Sequence, residues 1–177
     1  MNLDISGWGE FKLADLFHCE RGTRLVKSER TAGDLPLLTA GEQNQGVKEF
    51  ISNENQQIFS NAVTIDMFCN SFVHIENFCC DDNILVLKAK KSMNKYHLLF
   101  ISVIIQKDKA KYGFGKQYRK NSFESHKIKL PTLENGEINL NFMENYIKAT
   151  QNKMSQILNA YEALNAQNER EREIERE

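Results

Sequence analysis

The chain has 177 residues, 41% of them hydrophobic and 10% aromatic, enough to bury one sizeable core and to carry an appendage. Its formal net charge is −1, so bulk charge announces no polyanionic partner, and no run approaches the roughly 18 unbroken apolar residues of a membrane span. The polar, acidic opening MNLDISGWGEF lacks an apolar signal core and the four cysteines lack CxxC spacing, so a cytoplasmic protein with buried thiols is expected.

The first predicted element is a short helix at 12–17, with Leu13, Leu16 and Phe17 on one face. A basic loop follows, Arg21-Gly22-Thr23-Arg24 with Lys27 and Arg30. Short β-type runs then alternate with turn signals at 35–39, 62–68, 71–75, 83–87 and 126–130, which reads as a mixed sheet. Residues 39–46 (TAGEQNQG) form a polar loop whose side chains can hydrogen-bond base edges. At 95–106, Leu98, Leu99, Ile101, Ile104 and Ile105 predict the main core helix, although the isoleucines leave a strand open.

The chain divides at Pro131. Glu134-Asn135-Gly136-Glu137 is a turn, Asn139 or Asn141 is a candidate N-cap, and Glu144 lies near the positive end of a long helix without Gly or Pro. Along it Met143, Ile147, Thr150, Met154, Ile157, Tyr161 and Leu164 step alternately by four and three residues. That period of about 3.5 keeps one edge facing a partner helix. Asn168 continues the register, either as a buried polar pair or beyond the end of the coil, and the charge run 169–177 is expected to be solvated. The expected division is a domain at 1–135 and a helix at 139–177.

The near-zero net charge hides an asymmetry. Residues 131–177 hold five Lys+Arg against nine Asp+Glu, which leaves 18 against 15 in the first 130 residues. Residues 107–129 concentrate eight basic side chains against Asp108 and Glu124. Within them Lys111-Tyr112-Gly113-Phe114-Gly115-Lys116-Gln117-Tyr118-Arg119-Lys120 interleaves cations with aromatics, an amide and two glycines. Lys116, Arg119 and Lys120 suit phosphates or guanine edges, and Gln117 suits adenine. Equally, such loops are often plain solvated surface, with at least two of Tyr112, Phe114 and Tyr118 packing onto the sheet.

The chain carries no Gly-rich phosphate loop, GxSxG, HExxH, or NPPY-type methyltransferase motif, and no nuclease pattern of Pro-Asp followed by acid-x-Lys. Cys69, His74, Cys79 and Cys80 lack zinc-site spacing, and strand alternation would send Cys69 and His74 to opposite faces. No catalytic residue, metal or cofactor is expected.

Several segments in order resemble the target recognition domain of type I restriction-modification specificity subunits. They are Trp8-x-x-Phe11-x-Leu13-x-x-Leu16-Phe17 with Gly22, Pro36-Leu37-Leu38-Thr39, Asn44-Gln45-Gly46-Val47-x-x-Phe50-Ile51, and residues 65–72 and 82–87. The likeness continues through residues 111–119, Ile128-Lys129-Leu130-Pro131, Gly136-Glu137-Ile138-Asn139 and Phe142-Met143-Glu144-x-Tyr146-Ile147, and so covers nearly the whole chain. Cys69 stands where the family usually has Gly, Gln45 replaces the second Asn of NNG, Lys116 replaces Arg, and His74 is near a frequent Tyr.

The resemblance implies an α+β fold, a mixed-sheet recognition domain followed by a long coiled-coil-type helix, and a DNA-reading role without catalysis. Full-length specificity subunits look like two such domains separated by two helices. One domain and one helix are half of that plan, so an antiparallel homodimer reading a palindromic bipartite target in double-stranded DNA is implied. The partners implied are methyltransferase subunits and, through them, restriction subunits, with no membrane. Lys27, Lys111, Lys116 and Lys120 are the expected phosphate contacts, and Arg24, Asn44, Gln117 and Arg119 the expected base readers, with Thr39 and Asn70 as further DNA-binding candidates. Met143, Ile147, Met154, Ile157, Tyr161 and Leu164 are the expected dimer-helix contacts. Two alternatives remain: an interaction protein that engages such subunits through its helix without reading DNA, and an enzyme with an unrecognised site.

Overall fold

The computed structural model describes residues 4–174; the first three residues and residues 175–177, the last of the expected solvated run, lie outside the described residues. The elements in order are β1 (Gly9–Lys12), α1 (Leu13–Leu16), β2 (Phe17–Arg21), β3 (Ala32–Leu38), β4 (Val47–Ile51), β5 (Ala62–Asp66), β6 (Ser71–His74), β7 (Cys79–Cys80), β8 (Ile84–Ala89), α2 (Lys95–Gln106), α3 (Lys120–Ser125), β9 (Lys127–Leu130) and α4 (Leu140–Ile174). The expected α+β class holds, with a sheet domain followed by one long helix.

The central sheet has the order β2-β8-β5-β6 and is antiparallel throughout. A second sheet, β4-β3-β7, is mixed, since β3 pairs antiparallel with β4 and parallel with β7. β1 and β9 pair separately. β5 is buried at every residue, because both faces are covered. Val63 and Ile65 join Leu85, Leu87 and the α2 residues Leu98, Ile101 and Ile105 in one core. On the other face Ala62 joins Ile84, Val86, Leu38, Phe59 and Phe78 in a second. Coverage on both sides explains why apolar residues fall on both faces of β5 and β8.

The strand alternative for 95–106 falls away. Asn94 caps α2, accepting from the Tyr96 and His97 N–H groups, while its own N–H donates to His97 Nδ1. The first helix is shorter than expected, since Phe17 already pairs with Ala89 as the first residue of β2.

Asn139, not Asn141, caps α4: the Phe142 N–H donates to Asn139 Oδ1 at 2.9 Å. Glu144 ties α4 to the start of α2, accepting from Asn94 Nδ2 at 2.7 Å with His97 Nε2 at 3.5 Å. The proposed seam divides in two. Met143 is fully buried in the domain core, and Tyr146 and Ile147 are half-buried against it, so these residues dock the helix on its own head. Trp8, Phe100, Phe142 and Tyr146 form the aromatic collar of this joint, with Phe100 and Tyr146 edge to face at 5.8 Å. From Lys148 to Arg170 the helix is exposed, and Met154, Ile157, Tyr161 and Leu164 project from it with Leu158 beside them.

Two substitutions separate the joint from the free seam. Met143→Ala is expected to lower stability by about 3 kcal/mol through a core cavity. Met154→Ala is expected to change the stability of the monomer by less than about 0.5 kcal/mol. Urea denaturation at low protein concentration reads both.

Candidate nucleic-acid interface

The antiparallel order of the central sheet puts the C-terminal ends of β2 and β5 beside the N-terminal end of β8, with Arg21 opposite Leu85 and Asp66 opposite Ile84. β3 ends at the same place, since Leu38 pairs with Cys80 just before β8. Residues 22–24, 39–46, 67–70 and 81–83 therefore leave the fold at one edge, while residues 25–31, Lys27 among them, run back along the second sheet, where Arg30 donates to Leu25 O and Asn53 Nδ2 to Glu29 O. The basic segment 107–119 joins them because the Tyr118 N–H donates to Met67 O at 2.8 Å.

The edge is organised by Asp66, which is not among the expected DNA contacts. Asp66 is 4% exposed. Its Oδ1 accepts from the N–H groups of Phe68 (2.8 Å) and Asn70 (2.9 Å), and its Oδ2 from the Gly41 N–H (3.0 Å) and Asn70 Nδ2 (2.8 Å). One carboxylate thus holds the β5–β6 turn closed and fastens the 39–46 loop to it. The signal available in the sequence was an Asp at a strand end followed by turn residues, the pattern of an Asx turn.

The 39–46 loop closes on itself through Thr39 N–H to Gly46 O at 2.9 Å. Asn44, Gln45 and Gly46 all take positive φ, at 49°, 56° and 83°. Asn tolerates that region best after Gly, so Asn44 and Gly46 suit it and Gln45 is the more strained choice. Cys69 has φ 64°, where a glycine would be unstrained. The loop walls an open polar recess of about 340 Å³. Gly22 lets the first loop lie against the last, since a Cβ there would stand 2.2 Å from Cys80 O.

The candidate residues divide by their surroundings. Arg24, Lys27, Asn44, Lys116, Arg119 and Lys120 are exposed, and Thr39 and Gln117 partly so. Arg119 donates to Asn83 Oδ1 at 3.1 Å and to Gln117 Oε1, so its guanidinium is held between two loops. Lys111 pairs with Asp108 at 2.7 Å, Lys109 with Glu42 at 2.5 Å and Arg21 with Asp82 at 3.0 Å. Asn70 is 2% exposed, and its amide serves the Asp66 turn. Arg30 is also internal, donating to Leu25 O and Glu49.

Behind the basic segment, Asp108, His126 and Tyr118 form a chain, with Asp108 Oδ2 3.0 Å from His126 Nε2 and His126 Nδ1 3.0 Å from the Tyr118 hydroxyl. The order resembles a proton relay, but Tyr118 is 1% exposed and burial pushes its pKa up, so the chain anchors the segment. Tyr112 packs on Tyr118 at 4.9 Å, so two of the three aromatics pack inward as anticipated.

Among the described residues no group of three His, Cys, Asp or Glu is arranged to hold a metal. Burial pushes the Cys79 thiol up to about 11 and Cys69 to about 12, leaving both protonated at neutral pH. His74 lies beside Phe78, with ring centroids 5.0 Å apart, and burial pushes it down to about 4. A second cavity, about 670 Å³ and mostly apolar, lies beyond the other end of β8 between Leu16, Met93, Ile138 and Leu140, with Lys90 and Lys91 on its lining.

An α+β head whose sheet edge gathers backbone-fastened loops of amides and cations, mounted on a long helix, is the form of a macromolecular recognition module. Residues 5–175 match the family model described as the Type I restriction modification DNA specificity domain, and the chain belongs to that family. It is 31% identical over 155 residues to the specificity subunit S.BcgI of the Type II restriction enzyme BgcI from Heyndrickxia coagulans. That alignment covers 85% of this chain and 45% of the relative, so the chain spans about half the relative's length. Among solved structures it is similar to the S subunit of a Type-I restriction-modification system from M. genitalium (TM-score 0.60, 17% identity, 89% of this chain and 41% of that one). It is equally similar to the HsdS subunit from Thermoanaerobacter tengcongensis (TM-score 0.60, 16% identity, 90% and 41%). At that identity the likeness is one of fold.

Two outcomes follow from the geometry. Asp66→Asn leaves one acceptor oxygen where two served four donors, so a loss of about 2 kcal/mol is expected, with faster hydrogen exchange at Gly41, Phe68 and Asn70. His74 is neutral when folded, whereas the unfolded chain takes up its proton near the ordinary value of about 6.5. Its stabilisation is therefore complete above about pH 6.5 and is lost as pH falls from there toward 4. Thermal denaturation across that window should fall less steeply for His74→Leu than for the parent chain.

Proposed function

We propose that this chain is the sequence-reading, non-catalytic subunit of a restriction-modification complex, with a recognition head at 1–135 and a docking helix at 139–177. The observation that carries the reading is the convergence of the loop residues at one sheet edge, where Asp66 and Tyr118 fix their backbones. Arg24, Asn44, Gln117 and Arg119 read bases, with Thr39 beside them. Lys27, Lys111, Lys116 and Lys120 meet phosphates, Lys111 exchanging Asp108 for phosphate when DNA binds. Asn70 takes a positioning role, because its buried amide shapes the turn instead of facing solvent.

The free half of the helix supplies the second part of the reading. Met154, Ile157, Leu158, Tyr161 and Leu164 are each more than half exposed, an apolar stripe that leaves surface unburied in a lone chain. We propose that a second copy covers it in antiparallel fashion, restoring the two-headed plan that the half-length match to S.BcgI suggests. The complex then directs methyltransferase and restriction subunits to a palindromic target of two inverted half-sites.

The experiment is to combine the chain with methyltransferase subunits and map methylated positions across a genome. A palindromic bipartite motif is expected; methylation without a motif, or none, contradicts the reading. Arg119→Ala is expected to change sequence preference, and Lys120→Ala to weaken cognate and scrambled DNA alike by roughly the value of one phosphate contact, with a salt slope reduced by about 1. Equal losses on both DNAs for both variants sink that division. Ile157→Asp with Leu158→Asp is expected to give a monomer by sedimentation with helical content retained.

A further inference from the structure

Phe114 is 85% exposed, more than any other large apolar side chain among the described residues. It stands at the tip of a tight hairpin in which the Gly113 N–H donates to Lys116 O at 3.0 Å and the Lys116 N–H to Gly113 O at 3.1 Å. The hairpin is stiffly based, through Tyr112 packed on Tyr118 and the Tyr118 N–H bonded to Met67 O. Behind the tip, the Phe114 ring meets Phe68 edge-on, with centroids 5.1 Å apart and planes at 71°. Phe68 belongs to the turn that Asp66 holds, so the ring is braced from inside the fold and presented outward.

The flanking glycines are the second observation. Neither Gly113 nor Gly115 has a positive φ, and a Cβ built on either would meet nothing within 4 Å. Nothing inside the fold requires glycine at these positions, and what their bare backbones do is keep both flanks of the ring slim. An ordinary solvated loop has no use for a braced, bare-sided phenyl ring at its tip. Insertion between flat surfaces does, because side chains beside the ring would strike the bases above and below it.

We propose that Phe114 is an apolar wedge that enters a base-pair step of the bound duplex and partly unstacks it, a reading that rests on the DNA-recognition function above. Lys116, whose ammonium lies 5.7 Å from the Tyr112 ring centre, is placed to meet a phosphate beside the opened step. The wedge adds a preference that no hydrogen bond reads. Pyrimidine–purine steps unstack most readily, so the half-site favours TA or CA/TG where the ring enters.

The test uses the full chain and the target found by methylation mapping, with 2-aminopurine placed in turn at each step of the duplex. The parent chain should raise fluorescence at one step per half-site. Phe114→Ala should lose that rise and bind roughly tenfold or more weakly, the scale of one base–aromatic contact. Phe114→Leu should keep part of the rise, and Lys116→Ala should keep it while binding less tightly. Because the ring is exposed, unchanged thermal melting of Phe114→Ala is the folding control. Specific binding by the parent chain without a rise at any step overturns the wedge, as does a Phe114→Ala variant that keeps both rise and affinity. Sensitivity only to replacing thymine by uracil places the ring against a methyl group in the groove and also overturns it. If the parent chain selects no target at all, the DNA-recognition function fails first and the wedge falls with it.

Discussion

A buried carboxylate with four hydrogen-bond donors aimed at it is the constraint on which the interface depends. Asp66 sits at the last position of β5, so its height is fixed by pairing with Ile84 on β8. Its two oxygens then bind backbone from the turn that follows and from a loop some 25 residues earlier in the chain. Main-chain groups accept any side chain, so residues on the outer surface of these loops can change without loosening them.

The second constraint is the joint between head and helix. A 35-residue helix is about 50 Å long and would swing freely if only its first residue were tied. Here Met143 enters the core, Glu144 grips the cap of α2, and four aromatic rings pack around the first two turns. α2 itself lies on β5 and β6, the strands that bracket the Asp66 turn. The orientation of the helix is thereby referred to the same strands as the Asp66 turn.

Elements buried on both faces were the legible ones. β5, β8 and α2 announce themselves because apolar residues dominate them, although the isoleucines of α2 suit a strand as well and the Asn94 cap decides for helix. β1 and β7 are short, and pairing with distant strands makes them strands; Cys79–Cys80 is a strand only because Leu37 and Leu38 lie alongside. The basic segment and the polar loops were also legible by composition, and their meeting at one edge was not, since it follows from strand order. Residue type does not say which way an amide or guanidinium points. Asn70 and Arg30 read like surface contacts and are internal props, while Asp66, the organising residue, fell inside the expected strand 62–68. Met143 fits a coiled-coil register as well as it fits a core, and its burial decides between them.

The central claim is that the loops fastened at the Asp66 edge are the surface that meets DNA. Hydrogen–deuterium exchange of the full chain, alone and bound to its selected duplex, tests it directly. Protection on binding should gather in residues 22–24, 39–46, 66–70, 81–83 and 111–119. Protection centred instead on Lys90, Lys91 and the cavity at the far end of β8, with the Asp66 edge unchanged, would contradict it.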